Sequence, residues 1–348
     1  MFKRLPTDRK ALVEAARGLR PLDLAVKNVN LVNVLTCEIY PADIGVYGGR
    51  FAVIGPAGEY DLKAEREIEG SGKWACPGFF DAHLHIESTM VTPAGYAKGV
   101  LPLGTTSAVI DPHEIGNVMG KEGVRLMIEG SRGLPLRVYV AVPSCVPSVL
   151  GAETAGATFG PAEIAEMMQW ERVISLAEVM DYIGVVNNDE RMRGIVDAAL
   201  AHGGVVQGHA PKLMGRDLNA YIAAGIDNDH ESRLGEEVLE KLRLGLLPLI
   251  KLGSPGNHLP RLMPKLLEAE YVDVALCTDD VEPSDLLLNG HMDRVVRGVM
   301  EYGVPVTRAL RWACYIGPQH YGLRDFGAIA PGFIADFLLL DSLEEVRT

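Results

Sequence analysis

The rhythm of apolar and polar positions changes twice along this chain. Residues 1–20 place Leu12, Val13, Ala16 and Leu19 near a 3.6-residue period, which predicts an amphipathic helix. From Leu22 to about Ile68 the pattern shortens to β-like runs at 24–34, 43–47 and 51–54, broken by turns. Gly48-Gly49, between the last two runs, is the kind of pair a two-residue hairpin turn demands. From about Trp74 short apolar runs alternate with helical periods. Eight strands are predicted, at 75–81, 105–110, 136–142, 173–177, 204–207, 226–228, 246–252 and 272–277. Helical stretches at 161–169, 189–201, 235–244 and 259–269 fall between several of them.

Repeated strand–helix units of this number predict an α/β fold, a (β/α)8 TIM-like barrel with a small flanking β domain. A doubly wound sheet fits less well, because no glycine-rich dinucleotide fingerprint follows the first strand. Residues 283–321 read as interrupted helix, and 326–341 as a turn followed by a hydrophobic strand. That strand is expected to rejoin the β module, bringing the chain ends together. The expected organisation is a helix and small β module over 1–73, the barrel over 74–321 and a return strand over 322–348.

Composition narrows the function. The 348 residues are 48% hydrophobic and 23% charged, enough for a sizeable core, with a net charge of −13. No block of lysines or arginines is present, which argues against a nucleic-acid partner. No uninterrupted apolar run approaches the roughly 18 residues of a membrane span, and the N-terminus lacks the apolar stretch of a secretory signal. Five scattered cysteines without a Cys-x-x-Cys pair fit reduced thiols. The expectation is a soluble cytoplasmic enzyme; a homo-oligomer is left open.

The candidate chemistry gathers at strand ends. In Pro77-Gly78-Phe79-Phe80-Asp81-Ala82-His83-Leu84-His85, strand alternation turns His83 and His85 to one face, a half-site for a divalent cation. Glu178 follows strand 4 as a ligand shared between two cations. His209 and His230 follow strands 5 and 6 as ligands of the second. Asp279 follows strand 8, able to bind metal and exchange a proton with water. Asp111 and Glu114, in Asp111-Pro112-His113-Glu114 after strand 2, are placed to protonate a leaving nitrogen, grip a substrate edge or hold an additional metal. His202, His258, His291 and His320 read as surface, capping or core histidines. Taken singly, Glu178 reads as a helix-start carboxylate and Asp280 as an N-cap. His85-Ile86-Glu87 matches the His-x-Glu of small zinc nucleobase deaminases, but their Pro-Cys-x-x-Cys partner is absent.

At these residues the chain resembles the bacterial adenine deaminase family of the amidohydrolase superfamily. The resemblance lies in PGFFDAHLHIESTMVT, LPLGTTSAVIDPHEIGNVMG, GHAPKLMGRDLNAYIAAG, Asp229-His230-Glu231, Thr278-Asp279-Asp280 and GLRDFGAIAPGFIAD. It implies hydrolysis of adenine, a small-molecule purine substrate, to hypoxanthine and ammonia by a metal-activated hydroxide. It also implies a binuclear divalent centre of manganese or iron, with zinc as the other option. Its metal positions match His83, His85, Glu178, His209, His230 and Asp279, and its acidic pair matches Asp111 and Glu114. Asp279 and Glu114 are the implied proton carriers. Enzymes of that family carry a further C-terminal domain, so this chain reads as a short form. Val281 stands where the family tends to have arginine, and Thr89 where it has a second serine. The readings left open are an amidohydrolase of another amino-purine, pterin or cyclic amide, and a metal-binding remnant completed by a partner chain.

Overall fold

The computed structural model describes residues 8–269 and 272–347. The chain divides into two compact units: residues up to Phe80 with those from Gly303 onward, and Asp81–Tyr302.

In the first unit, strands β1 (Leu22–Asn33), β2 (Glu38–Tyr47) and β3 (Arg50–Pro56) form an antiparallel meander. Gly48 and Gly49 both take positive φ, as the β2–β3 hairpin requires. Strands β4 (Ala64–Glu69) and β5 (Trp74–Pro77) pair parallel to β1. The preceding helix, Arg9–Ala16, is capped by Asp8 and buries Ala11 and Ala15. Val13 and Leu19 of the expected apolar stripe are exposed instead, at 56% and 67%. The helix ends at Ala16, and Gly18 reverses the chain at φ +71°, so Leu19 never shares a helical face. Residues 1–7 of the expected helix lie outside the described residues.

The second unit is a parallel barrel. Its strands are β6 (Phe79–His85, from Asp81 on), β7 (Thr105–Ile110), β8 (Arg137–Val142), β9 (Val173–Val179), β10 (Val205–Gly208), β11 (Asn228–Asp229), β12 (Leu247–Lys251), β13 (Ala275–Cys277) and β14 (Asp279–Asp280). The first expected barrel strand, 75–81, is in fact two strands. Trp74–Pro77 joins the small sheet, and the barrel strand starts beyond Gly78. The last barrel strand is also broken. β13 pairs with β12, and one residue later β14 pairs with β6, so a single chain segment closes the ring. The break is pinned by Asp81, whose carboxylate accepts from the Thr278 backbone N–H (3.0 Å) and hydroxyl (2.5 Å). Beyond it Asp279 sits at φ +62°, a conformation Asp tolerates better than most residues.

The barrel core is aliphatic. Ala108, Ile110, Val140, Val142, Leu176, Val179 and Val206 from the strands pack with Val124, Ile195, Val196 and Leu218 from the helices. At roughly 25 cal/mol per Å2 of apolar surface, each buried Val, Leu or Ile among them contributes about 1.5–3 kcal/mol. That burial holds the strand ends, and what they carry, in fixed register. The final strand, β15 (Phe337–Leu340), pairs antiparallel with β5 in the first unit, so the C-terminal stretch does rejoin the β module.

Candidate metal centre

Parallel strands all end on one face of a barrel, and side chains there converge. On β6, Asp81, His83 and His85 alternate with apolar neighbours and face inward. The Nδ1 of His83 lies 2.8 Å from Gln207 Oε1, and that of His85 lies 3.0 Å from the Asp111 carbonyl. Both partners are acceptors, so each Nδ1 carries the proton and each Nε2 presents its lone pair to the barrel axis.

Glu178, at the end of β9, is the hub. Its Oε2 lies 2.5 Å from His209 Nδ1 and 3.1 Å from His230 Nε2. Its Oε1 lies 3.8 Å from His85 Nε2. One carboxylate thus touches both histidine sets, one oxygen to each. Asp279 completes the β6 side, its Oδ1 being 3.2 Å from His85 Nε2 and 3.7 Å from His83 Nε2. Glu114 Oε1 lies 3.5 Å from His85 Nδ1, and Asp111, fully buried, lies 3.2 Å from His113. All eight residues singled out in the sequence meet at this one mouth.

The electrostatics suit a cation. Burial disfavours charge on Glu178, but the hydrogen bond from His209 and the nearby His230 imidazole outweigh it and hold the carboxyl well below its ordinary range. Burial also opposes ionisation of Asp279, and His85, His230 and Lys251 beside it reverse that, lowering its pKa. Burial, reinforced by His230 and His85, holds His83 well below the ordinary histidine value and therefore neutral. Three buried imidazole nitrogens, His83 Nε2 and both of His230, have no hydrogen-bond partner. Buried polar atoms are rarely left so. Anionic oxygens and free imidazole lone pairs within 4.8 Å of one another form a donor set that fits divalent cations.

Several residues at the mouth escaped the sequence reading. Lys251 ends β12 and binds both Asp279 Oδ2 (2.5 Å) and Glu231. The strand-end rule, applied to strand 7, points to it. His113 lies 3.4 Å from Glu178 Oε1, and Cys145 follows β8 by three residues. Lys241, fully buried on the helix Gly235–Arg243, donates to Ala210 O, Asp229, Ser232 and Glu237, tying the loop of His209 to that of His230. No local pattern marks it. His291, by contrast, sits buried between Tyr96 and Thr105, and His202 bonds its own helix at Ala198.

The sequence profile of the amidohydrolase family matches residues 74–347. The chain belongs to the amidohydrolase family. Among curated relatives, this amidohydrolase is 40% identical to an adenine deaminase of Kosmotoga olearia, over 97% of this chain and 58% of that one. It is 42% identical to an adenine deaminase of Oleidesulfovibrio alaskensis, over 97% and 58%, and 42% identical to an adenine deaminase 2 of Rhizobium meliloti, over 97% and 57%. The chain therefore spans a little over half the length of these relatives. Solved structures with the same fold include molinate hydrolase (TM-score 0.65, 15% identity, 94% of this chain and 93% of that one). Atrazine chlorohydrolase of Arthrobacter aurescens, complexed with zinc, is another (TM-score 0.67, 15% identity, 91% and 87%).

Proposed function

We propose that this amidohydrolase hydrolyses adenine to hypoxanthine and ammonia at a centre of two divalent cations. His83, His85 and Asp279 hold one cation, His209 and His230 the other, and Glu178 is shared between them. Glu178 carries the reading, because its two oxygens face the two histidine sets separately. The all-nitrogen and oxygen donor set suits manganese or iron and accommodates zinc. The adenine deaminases at 40–42% identity support adenine as substrate. The five free cysteines support a cytoplasmic setting.

Bound cations supply Lewis acidity and lower the pKa of water towards neutrality. The chain's own groups do the rest. Asp279 Oδ1, beside His85 and His83, accepts a proton from the attacking water and returns it to the purine ring. Lys251, on Asp279 Oδ2, holds that carboxylate in one orientation. Glu114 Oε2, buried without a hydrogen-bond partner, is placed to take the hydroxyl proton of the C6 adduct and pass it to the departing amine nitrogen. Addition of water at C6 and loss of ammonia then balance.

The test is ammonia and hypoxanthine release from adenine, with metal content measured on the same sample after manganese or iron loading. Equal amounts of both products, lost on chelation, are expected. Two bound cations with no hypoxanthine formed overturn adenine as the substrate.

A further inference from the structure

Asp111, His113 and Cys145 form a second group beside the proposed pair of cations, and the chemistry above leaves His113 and Cys145 unused. Asp111 ends β7, His113 opens the helix His113–Met119, and Cys145 lies just past β8. With Glu178, they bring one carboxylate oxygen each, an imidazole nitrogen and a thiol within 4.8 Å of one another. His113 Nδ1 lies 3.2 Å from Asp111 Oδ2 and 3.4 Å from Glu178 Oε1. Ligands about 2.1 Å from a tetrahedral ion are separated by about 3.4 Å, so these spacings already match the edges of such a site.

Hydrogen bonds join His113 to Asp111 and to Cys145, but they do not satisfy the whole group. His113 Nδ1 has one proton to offer, and two carboxylate oxygens stand within reach of it. Asp111 is fully buried, yet its Oδ1 has no hydrogen-bond partner. An unpaired carboxylate oxygen in such a place is costly, and a cation is the partner that satisfies it together with both neighbours.

We propose that Asp111, His113 and Cys145, with the near oxygen of Glu178, bind a third cation of zinc-like, borderline-soft character. The donor set sets it apart. The proposed pair has only nitrogen and oxygen ligands, whereas this site includes sulfur, which selects zinc or cobalt over manganese. Binding releases the Cys145 thiol proton to solvent and makes one sulfur–metal bond, with no change of oxidation state.

Cobalt is the probe, because thiolate ligation gives it near-ultraviolet charge-transfer absorption that nitrogen and oxygen ligands do not. The metal-depleted full chain carries Cys37→Ser, which removes the exposed thiol. Titration with cobalt is expected to develop the charge-transfer band. Cys145→Ser is expected to lose it and to bind one cobalt fewer per chain, and His113→Asn to shift its appearance to higher cobalt concentration. A His83→Asn, His209→Asn chain should keep the band while binding two cobalt ions fewer per chain, which separates failure here from failure of the two-cation reading. Absence of the band at saturating cobalt in the folded chain, or its persistence in Cys145→Ser, overturns the proposal.

Discussion

The imidazole rings of His83 and His230 are stacked, with centroids 4.0 Å apart and planes 16° from parallel. They come from the first and sixth strands of the barrel, more than 140 residues apart in sequence. Two buried rings with three nitrogens lacking hydrogen-bond partners are an unfavourable arrangement by themselves. The proposed cation beside each would convert the loss into ligation.

His83→Asn and His209→Asn should each remove bound metal together with any hydrolysis. Metal analysis after dialysis, alongside turnover of adenine, checks this. Full metal content and activity in either variant would sink the ligand assignment.

Glu114→Gln should leave metal content intact and lower the rate by about 100-fold or more, since the amide can no longer pass a proton. A steady-state comparison at saturating adenine measures it. An unchanged rate makes Glu114 a structural partner of His85 and His113.

Lys241→Met strands two buried carboxylates, Asp229 at 2.9 Å and Glu237 at 2.7 Å. Removing one partner from a buried ion pair costs about 3–5 kcal/mol. Because Lys241 also ties Ala210 O to Asp229, weaker binding of the cation at His209 and His230 is expected alongside the lower stability. Thermal unfolding and metal titration read the two effects. A variant as stable as the parent shows the network to be dispensable.

Two histidines, His291 and His320, should each make the metal-free chain more sensitive to acid. Burial holds His291 down to about 3 and His320 to about 4, whereas an unfolded histidine titrates near 6.5. Between those values the unfolded chain takes up protons the folded one refuses, so stability is present above about pH 6.5 and falls as pH drops towards 4. At pH 5 each histidine accounts for about 2 kcal/mol. Urea unfolding at pH 7.5 and pH 5 should show the loss, and His291→Gln should flatten the dependence. An identical slope in the variant assigns the effect elsewhere.

Much of this was legible in the chain itself. A strand period of two fixes that His83 and His85 share a face, and short runs of three to seven residues mark the barrel strands because only alternation or full burial satisfies a sheet. Local pattern also places a carboxylate or histidine just past several strand ends, since each of those residues follows its own run. What the pattern cannot hold is pairing across the ring. That Trp74–Pro77 leaves the barrel for the small sheet depends on β1 and β15 as partners. That the last strand switches from β12 to β6 at Thr278 depends on Asp81, nearly two hundred residues earlier. The same holds for Lys241, whose burial makes sense only once two loops close around it, and for His113 and Cys145, unremarkable in sequence until Asp111 and Glu178 stand beside them. Strand periodicity is a local consequence of backbone geometry and determined the elements. The meeting of side chains across the barrel is a long-range consequence of closure, and only the tertiary structure decided it.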